Sequence, residues 1–527
     1  MSKATTVPHA LNAEASRLNA WNPEDSAFWE STGKAIARRN LWISVPCLLC
    51  SFSIWSYWSI ITVQMKNLGF PFTAAQLFTL TAVAGLAGAT LRIPNSFLIA
   101  IGGGRNVIAI NTALLLLPSL GAGLALGDKN TPFQTFVILA ALSGIGGGNF
   151  ASSMSNISFF YPKRMQGTAL GINAGLGNLG VSVMQFLLPL AMTFSLFGAL
   201  GGDGLPLPAA IGGKPAGTMV WIQNCGLVWV PILAVLTILA WVGMTNLPIF
   251  QTGSTTLAIG KIIGLQLVGY VGAALGLYLL LGWSWNMWLV LPITIVATVL
   301  LMKLFPGTVA ANLRRQYAIF GSKHNWLMTW LYVMTFGSFI GYSNAFPLLI
   351  RVVFGTLPDG TPNPNAPNPF VYAWLGPLVG SLIRPVGGWL SDKWSGAKVT
   401  QVSTAVMIFA ALGAAHYIKL AAASSTPETV FLPLLLLFLL LFLTAGIGNG
   451  STFRMIPIIF EPAQAGPVLG WTSAVAAYGA FVIPSIFGQQ ITAKTPEYAL
   501  YGFAAYYVSC LVVNWWFYAR KNAEIPC

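Results

Sequence analysis

Two arginines interrupt membrane-length apolar segments that contain no carboxylate. Arg92 lies in TAAQLFTLTAVAGLAGATLRIPNSFLIAI, and Arg384 lies in WLGPLVGSLIRPVGGWL. A cation held inside a bilayer is costly, and it normally meets a partner or faces a functional cavity. The twelve acidic residues all fall in the N-terminal tail, in loops or at segment ends. Neither arginine is therefore offered a carboxylate at its own depth. The partner that fits is an anion that comes and goes. A guanidinium presents a planar fork of N–H donors that suits oxyanions, so the residue pattern points to anion carriage.

The elements that would hold these arginines are legible from composition. The chain has 527 residues, is 56% hydrophobic and only 7% charged, and its mean hydropathy is +0.72. Soluble domains carry roughly 25% charged residues, so a soluble core with one anchor is excluded. Spanning segments of about 20 apolar residues must be helical, because lipid offers the backbone no hydrogen bonds. The hydropathy pattern predicts an all-α polytopic membrane protein. It places fourteen helices near 41–65, 74–100, 106–126, 133–159, 166–196, 219–245, 256–281, 284–303, 326–352, 370–390, 399–420, 430–452, 466–492 and 498–519.

The net charge of +14 does not imply nucleic acid, since the basic residues are scattered and not gathered on one face. They follow the positive-inside rule. Lys3, Arg17, Lys34, Arg38 and Arg39 precede the first span, and Arg314, Arg315 and Lys323 fall in a central linker. Counted through fourteen spans, sixteen bases fall on the side of the termini and six on the other. Both termini are expected in the cytoplasm. Lys261 and Arg454 are expected to snorkel to the same side. Cys47 and Cys50 form a C-x-x-C inside an apolar helix with no histidine nearby. They read as small buried hydrophobes, and no metal or other cofactor is implied.

The chain repeats itself. GGGNFASSMSNISFFYP at 146–162 aligns with GIGNGSTFRMIPIIFEP 300 positions later, and Gly171 and Gly180 meet Gly470 and Gly479 in the following helix. Arg92 and Arg384 are related by nearly the same shift. Two halves in parallel register are one transporter signature, with the substrate held between them near the midplane. The glycines of GINAGLGNLG suit close, sliding helix contacts. In GGWLSDKWSGAK, Asp392 is expected in a short loop after the Arg384 helix, pairing with bases or a helix N-terminus as a latch.

GINAGLGNLGVSVMQ at 171–185 resembles the first nitrate signature of the nitrate/nitrite porter family (NarK/NarU type) of the major facilitator superfamily. GPVLGWTSAVAAYGAFVIPSIFG at 466–488 occupies the place of the second, as a looser match. GNFASSMSNISFFYPK, RNLWISVPCLL, MTFGSFIGYS and FLTAGIGNGSTF are similar as well. The resemblance covers about 40–250 and 320–520. It implies two six-helix bundles, at 40–250 and 321–520, between cytoplasmic tails 1–39 and 521–527. It also implies a nitrate or nitrite site in which Arg92 and Arg384 clamp the anion and Asn178 offers an amide. Phe150, Tyr332 and Phe336 would wall that site. Gly171, Gly175 and Gly180 would form a sliding surface matched by Gly470 and Gly479. The usual family member has twelve helices, so segment 251–320 is an inserted hairpin and linker, expected to be peripheral and without an assigned role.

Aromatic faces would select a flat ion over tetrahedral phosphate or sulfate. No titratable group is evident in the pathway: His9 lies in the tail, and His324 and His416 lie near helix ends. Nitrate:nitrite antiport by a monomer in the bacterial inner membrane is therefore expected, with nitrate–proton symport as the alternative. Carriage of another small anion and an anion sensor are lesser readings. No nucleophile–base pair, metal spacing or phosphate-binding loop suggests an enzyme.

Overall fold

The computed structural model describes residues 21–211, 213–248, 253–304 and 317–527, with Gly307 and Ala310 between the last two stretches. Lys3, His9, Glu14, Arg17, Arg314 and Arg315, and most of the linker after Leu304, lie outside the described residues.

Apolar runs fold into helices where hydropathy places them. Among the described residues, eleven helices are long and apolar enough to cross a membrane. In chain order they begin with α1 (Ser26–Leu68), α2 (Ala74–Asn95), α3 (Gly104–Ala125), α4 (Phe133–Phe160), α5 (Lys163–Ala191) and α6 (Asn224–Gly243). The inserted hairpin is α7 (Thr255–Gly282) and α8 (Met287–Lys303). The second bundle is α9 (Lys323–Phe354), α10 (Leu375–Leu382 and Arg384–Trp394), α11 (Gly396–Ala423), α12 (Pro427–Ile459), α13 (Pro462–Ala476 and Gly479–Thr492) and α14 (Glu497–Asn514). A helix thus stands at each of the fourteen expected spans; α8 is short, α10 and α13 are each in two pieces, and α14 is less apolar than the eleven. A two-stranded pairing of Leu205–Pro206 with Met219–Val220 joins α5 to α6, a feature that hydropathy does not signal.

The repeat is visible in the packing. Gly180 of α5 lies so close to the Leu49 carbonyl of α1 that a Cβ would approach it to 2.1 Å. Gly479 of α13 sits in the same way on the Gly337 backbone of α9, at 2.3 Å. Each half therefore locks its fifth helix onto its first through an equivalent glycine.

The two halves meet along α2 and α13, where a Cβ on Gly85 would strike the Ala480 backbone, and Thr90 and Tyr478 share a hydroxyl–hydroxyl bond of 2.9 Å. Toward the end remote from the termini the halves are further tied by Arg351 to Asn67 and by Gln185 Nε2 donating to the Ser343 carbonyl. Ser182 Oγ adds a bond to the Trp374 carbonyl. Toward the end bearing the termini, a Cβ on Gly167, Gly171 or Gly175 would meet nothing within 4 Å. That stretch of α5 therefore has an open face, with nothing packed against its glycines.

α7 packs directly on α2, and its Gln266 is buried against Asn95 and Asn111 of the first half.

Candidate anion-binding site

The site is built where α2 and α10 present their arginines between the halves. Arg92 is fully buried on α2. Its Nε donates to the Gly147 carbonyl of α4 at 2.9 Å, and its Nη1 donates to the Ser473 carbonyl of α13 at 3.0 Å. Nη2 is buried without a hydrogen-bond partner. Neither Arg92 nor Arg384 is in an ion pair among the described residues. The N–H groups of Arg92 Nη2 are therefore free to donate to an acceptor.

Aromatic rings enclose the Arg92 guanidinium. Its Cζ lies 4.7 Å from the Phe150 centroid, 4.9 Å from Phe336 and 5.2 Å from Trp55. Such contacts partly replace hydration of the cation. Glycine makes the enclosure possible: a Cβ on Gly88 or Gly147 would overlap the Trp55 indole. The indole N–H donates to the Ala84 carbonyl at 2.8 Å.

Tyr332 and Phe336 stack with centroids 5.8 Å apart and planes 6° apart, and Phe336 stacks on Phe150 at 6.3 Å. A π-helical turn, Val333–Gly337, is inserted in α9 here, with Tyr332 just before it and Phe336 within it. Single π-turns within α-helices recur at functional sites. Nothing in the sequence around MTFG foretells it.

Arg384 opens the second segment of α10, after a break at Ile383. Pro385 lacks an N–H and cannot continue the preceding helical ladder, so the continuous helix expected over 370–390 is broken there; a short helical turn, Pro369–Tyr372, is set off before it as well. Arg384 Nη2 donates to the Tyr332 hydroxyl at 3.1 Å, Cζ lies 5.1 Å from the Phe453 ring, and Nη1 is buried without a partner. On α12, Gly446 and Gly450 abut the α10 backbone and bring Phe453 beneath the arginine. Arg384, Tyr332, Phe336, Phe150 and Arg92 thus form one chain of contacts that crosses from one half to the other. Each arginine keeps one buried nitrogen without a partner.

Asn178 is buried on α5 with its Oδ1 unpartnered, and it is not part of that contact chain. Gly171 and Gly175 line open space, and Gly470 is merely near Ser96 at 4.0 Å. Gly180 and Gly479 pack inside their own halves and not against each other. Asp392 lies within the last turn of Arg384–Trp394 and not in a loop. It pairs with Arg454, which is therefore engaged and not simply reaching for solvent. The following helix is capped by Ser395, whose Oγ accepts from the Lys398 N–H, so Asp392 makes no helix N-terminal bond. Cys47 and Cys50 are buried free thiols.

Sequence reasoning missed Trp55 and Phe453, which flank the two arginines, and the carbonyls of Gly147 and Ser473. Phe453 follows the repeated G-x-G-N motif and was legible in principle. Trp55 carried no local signal. His324 lies away from the arginines, bonded to Tyr518 at 2.9 Å and Glu524 at 3.3 Å. A cavity of about 580 Å³ between α2, the hairpin and α13 contains neither arginine.

No family model matches the chain. Individual proteins do. It is 39% identical to a probable nitrate/nitrite antiporter, NarK2, of Thermus thermophilus, over 98% of this chain and 99% of that protein. It is 37% identical to the nitrate/nitrite transporter NarU of Escherichia coli K12, over 96% of each. A nitrite extrusion protein of Bacillus subtilis is 23% identical over 92% of this chain and 96% of its own. Among solved structures, a bacterial homologue of the human lysosomal transporter Spinster, inward-facing and occupied, superposes with TM-score 0.57 at 14% identity, over 90% of this chain and 95% of that one. The proton:xylose symporter XylE of the major facilitator superfamily gives 0.55 at 13%, over 92% and 96%. At such identities the structural likeness concerns the fold alone.

Proposed function

The chain belongs to the nitrate/nitrite porter family of the major facilitator superfamily, and on that premise we propose that it exchanges nitrate for nitrite across a bacterial cytoplasmic membrane by alternating access. The observation that carries the reading is the pair of buried arginines, each with one buried nitrogen left unpartnered, joined through stacked aromatic rings. A planar monovalent oxyanion lying between them would accept from Arg92 Nη2 and Arg384 Nη1. The ring faces of Phe150, Phe336 and Tyr332 suit a flat ion. Asn178 lends an amide once the halves close around the anion. The protein moves its substrate without altering it.

Exchange follows from charge. An empty site holds two cations without a carboxylate, and their repulsion opposes closing the halves around it. At an effective dielectric near 20 two unit charges repel by about 4 kcal/mol at 4 Å and inversely less at larger separation, and here Tyr332 and Phe336 lie between the two guanidinium groups. One bound anion offsets about half of that charge, so the loaded carrier reorients and the empty one does not. The distance of His324 from the arginines, and the lack of a carboxylate beside them, support exchange over proton symport.

With both termini in the cytoplasm, the open stretch along α5 faces inward, and the monomer suffices. The test is labelled nitrate uptake into proteoliposomes loaded with nitrite, with nitrate or with neither, each with and without a pH gradient. Uptake that requires an internal anion and ignores the gradient is expected. Uptake into anion-free vesicles driven by an inward proton gradient would establish symport instead.

A further inference from the structure

The inserted hairpin joins the first half through a buried polar cluster one helical turn from Arg92. Gln266, on α7, is 2% exposed. It makes three side-chain bonds: Oε1 accepts from Asn95 Nδ2 at 3.0 Å, and Nε2 donates to Asn95 Oδ1 at 3.1 Å and to Asn111 Oδ1 at 2.9 Å. Asn95 is also held by Ser152 of α4, whose Oγ donates to it at 2.8 Å. Elsewhere α7 touches the same two helices. Gly269 admits Leu91 and Pro94 at a distance no larger side chain would allow, and the Tyr270 hydroxyl donates to the Leu142 carbonyl at 2.8 Å. The hairpin therefore grips α2 and α4, which carry Arg92 and Phe150, at positions neighbouring Arg92 on α2.

We propose that Gln266 is a positioning residue for the anion site, through which the hairpin fixes the rotation and depth of α2 and so the aim of the Arg92 guanidinium. This rests on the reading that Arg92 binds the anion. A lipid-facing helix rarely carries a buried glutamine unless its bonds are made inside the protein, since an unmatched amide in an apolar environment is costly. Here every bond the amide makes is to α2 or α3. Asn95 lies three residues from Arg92, so a turn of α2 about its axis would move both together. Without Gln266, Asn111 Oδ1 loses its donor and Asn95 is held only by Leu91, Ser152 and Asn111 Nδ2, so the tie to the hairpin is gone and α2 can settle at another rotation that misdirects Arg92 Nη2.

The experiment measures nitrate KM and maximal rate in nitrite-loaded proteoliposomes for Gln266→Leu, Gln266→Asn and Arg92→Lys, and for the double variant Gln266→Leu with Arg92→Lys. Leu267→Ala, on the exposed face of α7, is the control and should match wild type. Gln266→Leu should raise KM about tenfold, the scale of one lost positioning bond of about 1.4 kcal/mol, with maximal rate nearly unchanged. Gln266→Asn retains the amide one methylene short and should raise KM less. It carries the test if the leucine variant does not fold. The double variant should be no worse than Arg92→Lys by more than about twofold, because the two act as one unit. Fully additive effects, or Gln266 variants that lower the rate at unchanged KM, would overturn the inference. If Arg92→Lys itself leaves KM unchanged, the anion site reading fails. If Arg92→Lys raises KM and neither Gln266 variant does, only the positioning role is lost.

Discussion

Replacing Arg92 by glutamine should abolish most nitrate affinity, and the structure sets the size of the loss. A guanidinium has five N–H donors. Nε is committed to the Gly147 carbonyl and Nη1 to the Ser473 carbonyl, which leaves Nη2 for the anion. Removing one partner of a buried, hydrogen-bonded charge pair costs about 2–5 kcal/mol. At about 1.4 kcal/mol per factor of ten, Arg92→Gln should weaken nitrate binding at least about thirtyfold. Arg92→Lys is the sharper probe. It keeps the charge but has one nitrogen, which cannot reach both carbonyls and the anion as a fixed fork does. The loss should be about one charge-assisted hydrogen bond, roughly 1.5–3 kcal/mol. Lysine should therefore lie between wild type and glutamine, tenfold or more above the wild-type KM. Initial rates of labelled nitrate uptake over a concentration series, in nitrite-loaded proteoliposomes with matched protein content, measure this order. A glutamine variant that is folded and keeps a KM within about twofold of wild type would refute the reasoning, because no other described cation has a free donor facing Phe150 and Phe336.

Tyr332→Phe removes the hydroxyl that accepts from Arg384. It should raise nitrate KM by about fivefold, the value of one ordinary hydrogen bond of about 1 kcal/mol, in the same uptake assay. Gly180→Ala should lower thermal stability in detergent by about 1–3 kcal/mol, because overpacking against the Leu49 carbonyl forces a backbone shift. Gly171→Ala should leave the melting temperature unchanged, since nothing lies within 4 Å, but should slow exchange if closure brings the second half onto that surface. Glu524 is held below the usual carboxylate range by its bond from Lys323, with His324 adding to it. A depressed carboxyl stabilises above its unfolded value and loses that contribution as pH falls through the folded one. The C-terminal segment should thus stay docked at neutral pH and become protease-sensitive in acid, below about 4.3. Glu524→Gln should flatten that profile.

Much of the architecture was readable because its causes are local. Lipid permits helices alone, so apolar run length sets the spans, and the fourteen segments reappear in place. The break at Ile383 had a visible signal in Pro385, and the expected continuous helix overlooked it. The π-turn at Val333–Gly337 had none. It alters the backbone by one residue's worth of winding, which hydropathy does not register, yet it governs how Tyr332 and Phe336 stack.

The sequence by itself determined that this is a polytopic membrane protein of two repeated halves with an unneutralised arginine in each. Charge cost, helix length and repeat spacing all act on a residue whatever its distant neighbours. Only the tertiary structure decided what those arginines touch. Arg92 reaches Ser473 across 381 positions of chain and Gln266 meets Asn95 across 171. Such contacts are set by packing between helices, where a few tenths of an ångström at Gly88, Gly147 or Gly180 decide which partners can meet.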